Sequence, residues 1–371
     1  MISTEVLTIG RPLAESTRNA IRVSYALRRV PESEFRFLLP RPEPPRIGDI
    51  VLARVESIGK NVALDITTGR RCTLHKGDLI AVVFGNRYAT LQFEGYARSD
   101  GDHCDLLSVG GLCGLVESKH DTVPEASKLR IEGALGDANG APLRLQDFAL
   151  PDTSRAGRSR PRVAVVLGTA MDAGKTYTAR SVILGLRRQG IHVAGVKLTG
   201  TAAARDTFMM LDAGACVALD FVDGGLPATY RCALPELLHI YRVLVNHAAA
   251  EGASWVVVEI ADGIIQGETA ALLASTRFAW TVDAWLLAAT DALGAAGALG
   301  MLRGMGIRPL VVSGIVSRSA LGRREVEAAT SIPCLPAAEL EEGALNAKLL
   351  AAAPPPGLVV RSGEQAAVTL R

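Results

Sequence analysis

The sequence predicts an α/β protein in which a parallel sheet covered by helices carries a phosphate-binding loop, preceded by a β-rich domain of the small-barrel kind. Three observations predict it. The apolar run Val163-Ala-Val-Val-Leu167 empties into a glycine-rich turn ending Gly174-Lys175-Thr176. From Arg162 onward, apolar β-branched runs alternate with helix-length segments, the pattern of a sheet buried on both faces. Between Gly48 and Phe93 the apolar period is instead two, broken at short intervals by turn residues.

The composition fits this picture. With 371 residues, 49% of them apolar and 21% charged, the chain has enough material for two cores. A net charge of +2 gives no electrostatic case for nucleic acid or an anionic membrane as the main partner. The start, Met1-Ile-Ser-Thr-Glu-Val, lacks the basic and apolar regions of a secretory signal. The most apolar region, Trp285 to Gly306, is interrupted by Asp291 and Arg303 and is too polar to span a bilayer. The six cysteines include no Cys-x-x-Cys pair, so reduced thiols in a cytoplasmic protein are expected. His103-Cys104 with Cys113 and His120 could be drawn as a metal cluster, but the spacings match no zinc pattern.

Taken in order, the chain opens with a strand over Glu5–Ile9 and a helix-compatible segment from Ser16 to Arg29, closed by the proline-rich Arg41-Pro-Glu-Pro-Pro-Arg46. Five short strands follow, at 49–57, 62–66, 71–74, 78–84 and 88–93, with turns at Gly59, Thr68-Gly69, Lys76-Gly77 and Gly85-Asn86. Five such strands suggest a small barrel, OB-like in kind. The glycine-rich stretch Asp105–Gly114 reads equally as a loop that approaches a ligand or as a packing turn. Residues 1–150 are thus assigned to the β-rich domain, the polar stretch 151–161 to a linker, and 162–371 to the phosphate-loop domain. In the latter, strands are expected at 190–197, Trp255–Ile260, Ala284–Ala289 and Leu310–Val316. Helices are expected over Tyr177–Gln189, Thr207–Gly214, Leu234–Glu251, 292–305 and near Arg323.

The polar candidates fall at the carboxyl ends of these strands, where ligands of open parallel sheets bind. Backbone N–H groups of the turn and helix start would face an anion. Lys175 would reach the β/γ-phosphates, and Thr176 would ligate Mg²⁺. Glu259 ends an apolar strand, where a carboxylate is costly without a cation. It is the first choice for the acidic Mg²⁺ partner, with Asp206 and Asp262 behind it, although an ion-paired or capping acid would look the same. Lys197, at the end of a second strand, would neutralise a transferred phosphoryl group or hold an anionic substrate.

At these residues the half from Arg162 to about Leu349 resembles the dethiobiotin synthetase family and its relatives, the cobyric and cobyrinic acid synthases. The family's loop, Gly-Thr-x-x-x-Asp/Glu-x-Gly-Lys-Thr, is similar to Gly168–Thr176, its Lys-Pro-Val and Thr-Gly to Lys197-Leu-Thr199-Gly200, and its Val-Glu-Gly-Ala-Gly-Gly to Val258-Glu259-Ile-Ala-Asp262-Gly263. The resemblance implies a P-loop NTPase using ATP and Mg²⁺ on a small-molecule substrate, as a homodimer. Its reaction would be activation of a carboxylate or carbamate as a mixed phosphoric anhydride for attack by nitrogen. It implies Lys175, Lys197 and Asp172 in catalysis, and Thr176, Asp206 and Glu259 as metal ligands. The nucleotide would be held by Gly168, Thr169, Ala173, Gly174, Lys175, Thr176 and Tyr177, with Ser317 and Pro336 on the base side. The substrate would meet Thr199, Gly200 and Thr201. The sequence departs from the family where Ser317 or Arg318 replaces a base-reading Asn and where Glu-Ile-Ala-Asp-Gly replaces Glu-Gly-Ala-Gly-Gly. No Asn-Lys-x-Asp guanine signature is present, which favours ATP. Two other classes fit the loop. A nucleotide switch or metallochaperone would carry an early lysine where Ala170 and Met171 stand. A nucleic-acid end kinase would need a basic patch that is weak here.

Overall fold

The structure, a computed structural model, describes residues 10–153 and 160–352. The strand expected over Glu5–Ile9, residues 154–159 of the expected linker and the chain beyond 352 lie outside the described residues.

The N-terminal part comprises β1 (Arg11–Pro12), α1 (Glu15–Ala20), β2 (Arg22–Val23), β3 (Phe37–Leu39), β4 (Ile50–Ser57), β5 (Ala63–Asp65), β6 (Arg71–Thr73), β7 (Leu79–Phe84), β8 (Phe93–Tyr96), β9 (His103–Leu106), β10 (Leu112–Lys119) and β11 (Ser127–Gly136). Five of these strands close on themselves. β11 pairs with β4, β4 with β7, β10 with β9 and β9 with β11, all antiparallel, while β7 and β10 pair in parallel. Alternate residues of every strand point into one core: Val51, Ala53 and Val55, then Ile80, Val82 and Phe84, then Cys104 and Leu106, Cys113, Leu129 and Ile131. A small closed barrel is present, but of the five expected strands only β4 and β7 enter it. β5 and β6 pair with each other as a separate hairpin, β8 lies outside on β10, and β9, β10 and β11 complete the ring through long-range pairing. Cys104 and Cys113 are spent in that core while His103 is exposed, and among the described residues no three His, Cys, Asp or Glu side chains are grouped to hold a metal.

Two local expectations are corrected and a third is settled on both counts. The helix expected from Ser16 to Arg29 stops at Ala20, because Arg22–Val23 adds in parallel to β7 and Tyr25–Leu27 turns as a 3-10 helix into the interior. Tertiary pairing overrides local propensity there. The strand expected at 88–93 begins only at Phe93, since Ala89 and Gln92 close a turn instead. The stretch 105–114 contains the end of β9, a turn and the start of β10, and both readings of it hold: a Cβ on Gly110 would lie 1.9 Å from the carbonyl oxygen of Ala202, while Ser108 and Val109 line the same cleft as Lys175.

The second part is a six-stranded parallel sheet in the order β14-β13-β15-β12-β16-β17. Its strands are β12 (Arg162–Gly168), β13 (Val193–Lys197), β14 (Ala218–Asp220), β15 (Trp255–Glu259), β16 (Ala284–Ala288) and β17 (Val311–Ser313). The principal helices are α2 (Lys175–Arg188), α3 (Ala204–Asp212), α4 (Leu234–Ala250), α5 (Gly267–Ala274), α6 (Thr276–Ala279), α7 (Ala292–Gly304), α8 (Ala320–Thr330), α9 (Ala337–Glu341) and α10 (Asn346–Ala351). Both sheet faces are buried. In β12, Val163, Val165 and Leu167 join one core with α4, and Ala164 and Val166 join the other with α2. The first core also takes in Tyr25, Ala26 and Leu27, so the N-terminal segment packs directly against the sheet. Arg28 fastens it, pairing with Asp220 at 2.8 Å and Asp223 at 2.6 Å. No helix among the described residues is long and apolar enough to cross a membrane.

Candidate functional site

The loop between β12 and α2 is shaped by its backbone. Asp172 and Gly174 adopt left-handed φ values of 60° and 98°, which turn the chain sharply into α2. No side chain caps the start of this helix, so its first N–H groups stay available beside the cleft that Gly174, Lys175 and Thr176 line. The glycine at 168 has a clear cause: a Cβ there would lie 2.5 Å from Cδ of Lys175, whose chain folds back over it to donate from Nζ to the Ala170 carbonyl at 2.7 Å. Burial pushes the Lys175 ammonium below its ordinary pKa, against the pull of Glu259 and Asp262. Such a lysine gains by meeting an anion.

Register brings the other charged groups to this loop. Lys197 and Glu259 are Cα partners on adjacent parallel strands β13 and β15, and Glu259 is likewise paired with Val166 of β12. Lys197 donates to Asp206 and stands 3.7 Å from Glu259. The Thr176 hydroxyl donates to Glu259 at 2.9 Å, with Asp206 at 3.4 Å. Thr176, Asp206 and Glu259 thus converge, and Glu259 Oε2 is buried without a hydrogen-bond partner. Burial, with Asp206 nearby, pushes the Glu259 carboxyl above its ordinary range against the pull of the lysines. Burial alone would lower Lys197, yet Asp206 and Glu259 hold it well above the usual lysine value. A hydroxyl and two carboxylates with an unspent buried oxygen suit Mg²⁺, which takes few protein oxygens and completes its shell with phosphates and water.

The remaining predicted residues divide. Asp172, Tyr177, Gly200 and Thr201 line the same cleft, of about 700 Å³, as Lys175 and Lys197. Ala173 instead accepts from the N–H of Ile315, and Thr169 Oγ1 accepts from that of Thr290 at 3.3 Å. The Thr199 hydroxyl is buried and accepts from the Ala261 N–H at 2.8 Å, so it braces a loop rather than facing the cleft. Ser317 is 1% exposed and donates to the Gly314 carbonyl at 2.7 Å. The strand expected through Val316 ends at Ser313, because Gly314 turns at φ 88° against the loop and Ile315 takes the cleft-lining place. Pro336 precedes α9 and is not among the lining residues. The base-side assignments to Ser317 and Pro336 therefore lack side chains directed at the cleft.

The barrel supplies the opposite lining, which the residue pattern did not reveal. Asn61, Arg87, Tyr88 and Gln92 join the phosphate-loop residues around one cavity. The β5–β6 hairpin beside the barrel sets α3, from which Asp206 projects. Asp65 accepts from the Ala204 N–H at 3.4 Å and pairs with Arg71 at 2.7 Å, while Gly69 packs on Phe208. Asp262 follows β15 at a left-handed φ of 61°. Burial holds its carboxyl above the ordinary aspartate range against the pull of Lys175, Lys197 and, more weakly, Arg87.

A central parallel strand, this loop and the lysine-hydroxyl helix start define the class: the chain has the P-loop NTPase fold joined to a β-rich part. No protein-family model and no curated protein matches it. Among solved structures it is similar to chloroplast FtsY from Physcomitrella patens, at 16% identity over 51% of this chain and 62% of that one, with a TM-score of 0.34. It is similar to the 54 kDa signal recognition particle protein from Aeropyrum pernix K1 in complex with GDP, at 20% identity over 56% and 50%, with a TM-score of 0.35. A DUF1611 family protein from Anabaena variabilis ATCC 29413 is 14% identical over 54% and 61%, with a TM-score of 0.37. The chain spans between half and about three-fifths of the length of these structures.

Proposed function

We propose that this chain transfers the terminal phosphoryl group of ATP to a small carboxylate or carbamate, giving a mixed anhydride that a nitrogen nucleophile then opens. The observation that carries this reading is the shared cleft: one cavity joins the phosphate loop and Lys197 to a lining contributed by the barrel. A cavity of that kind suits a small second substrate, whereas a switch that reports to a protein partner has no need of one. The likeness to the dethiobiotin synthetase family supports the same chemistry.

In this reading the carboxylate oxygen attacks the γ-phosphorus, the β–γ bridging bond breaks, and ADP leaves. Lys175 and the α2 N–H groups hold the phosphates, and Lys197 neutralises charge on the oxygens in flight. Thr176, Asp206 and Glu259 would hold Mg²⁺, which supplies charge neutralisation on the β- and γ-phosphates. Nitrogen then attacks the acyl carbon and phosphate departs. Asp262, with its raised pKa, stands in the cleft to accept the proton released from nitrogen.

Hydroxylamine provides the test. Protein with Mg²⁺, ATP and a pool of small carboxylic acids should form a hydroxamate in step with ADP, and Lys175→Ala should reduce both by a factor of about 100 or more. Nucleotide hydrolysis independent of any acid and dependent on an added protein would overturn the reading in favour of a switch. A parallel assay with GTP fixes the nucleotide.

A further inference from the structure

Arg87 is a buried cation of the cleft that lies outside the phosphate loop and has no acidic hydrogen-bond partner among the described residues. It is 6% exposed and lies among the residues lining the cavity on the barrel side. Its Nη2 donates to Gln92 Oε1 at 2.8 Å, but Nε and Nη1 have no acceptor. The Phe93 ring lies 5.8 Å below the guanidinium carbon and covers one face. Asp262 is the acid whose charge Arg87 feels, yet it makes neither a hydrogen bond nor an ion pair with it. Burial accordingly pushes the guanidinium pKa down to about 10, which still leaves it charged at neutral pH.

A buried guanidinium with unused donors is costly unless an anion completes it. Its planar donors match a two-oxygen acceptor. We infer that Arg87 is the anchor for a carboxylate of the second substrate, a carboxylate distinct from the group that reacts at the phosphate loop. The inference rests on the proposed phosphoryl-transfer reading and narrows it to substrates carrying an acid group besides the reacting one. The planar guanidinium, with donors still unused, matches the two coplanar oxygens of a carboxylate, and inorganic phosphate is the competing acceptor that the experiment includes. Gln92, already fixed to Nη2, orients the fork, and Tyr88 beside it lines the same wall.

The experiment measures binding, so it stands apart from turnover. Malonate, succinate and glutarate are titrated into the full chain, with and without Mg·ADP, beside acetate and inorganic phosphate. The expected result is saturable binding of at least one dicarboxylate to the wild type, weakened at least tenfold in Arg87→Met and less in Arg87→Lys. Mg·ADP affinity should stay within twofold in both variants. That ligand should raise the melting temperature of the wild type but not of Arg87→Met. Because an unmatched buried charge is removed, Arg87→Met without ligand should melt no lower than the wild type. A lower melting temperature with unchanged carboxylate binding would make Arg87 a structural residue and overturn the inference. Equal affinities in wild type and variants, no saturable carboxylate binding at all, or tighter binding of inorganic phosphate at Arg87 would each overturn it as well. Loss of Mg·ADP binding by the wild type would instead count against the phosphoryl-transfer reading, leaving Arg87 to be read on the nucleotide-free protein.

Discussion

Asp262 occupies a left-handed turn at the end of β15, held above its ordinary pKa mainly by burial. A carboxyl raised in the folded state adds stability below its unfolded value, near pH 3.9, and loses it as pH rises through the folded value. At neutral pH the ionised group is therefore a net cost. Asp262→Asn keeps a residue that tolerates positive φ and removes the charge. The variant should melt above the wild type at pH 7, and the gap should close as the pH is lowered toward 4, as followed by thermal unfolding across that range. Single residues also mark the limit of what the sequence discloses. Lys175, Thr176, Lys197 and Glu259 are legible because each follows an apolar strand, and strand ends of a parallel sheet converge. Arg87 follows the last barrel-facing residue of β7 with no motif around it, and only the packing of the barrel over the loop gives it a site. Ser317 is misplaced for a related reason: the left-handed turn at Gly314 redirects the chain, and composition does not encode which way a hydroxyl then faces.

Among elements, the turn joining β9 to β10 determines how closely the barrel approaches the sheet. Its Gly110 abuts the Ala202 carbonyl just before α3, the helix that carries Asp206. Gly110→Ala inserts a methyl group where no atom can give way except backbone. It should cost about 1–3 kcal/mol in chemical denaturation, the usual penalty for overpacking. Because it moves α3, it should also raise the Mg²⁺ concentration needed for half-maximal turnover. The strands of the parallel sheet were readable from the sequence since both faces are buried and their apolar runs are continuous. Of the barrel, only β4 and β7 were readable; β9, β10 and β11 were not, because glycines and charged residues interrupt their apolar runs and long-range pairing is what makes them strands. What escaped was the segment 21–29: Tyr25 and Arg28 look like surface helix residues in sequence, yet Tyr25 reaches Thr207 at 2.6 Å and Arg28 reaches two aspartates of the sheet part.

For the molecule as a whole, these contacts make the two parts mechanically one. Tyr25, Ala26 and Leu27 belong to the same apolar core as Val196, Phe221 and Ile240. Calorimetry of the full chain should therefore give a single transition with equal calorimetric and van't Hoff enthalpies, whereas two resolved transitions would show that barrel and sheet melt independently. That shared core has a further consequence for how the protein comes into being. Synthesis delivers the barrel first, with Tyr25 and Leu27 bare, and the sheet that buries them is finished only when β17 has left the ribosome. Until then the nascent chain carries an adhesive apolar face. The two linings of the cleft meet at the moment that face is covered, so the nucleotide site and the protection of the core are acquired together.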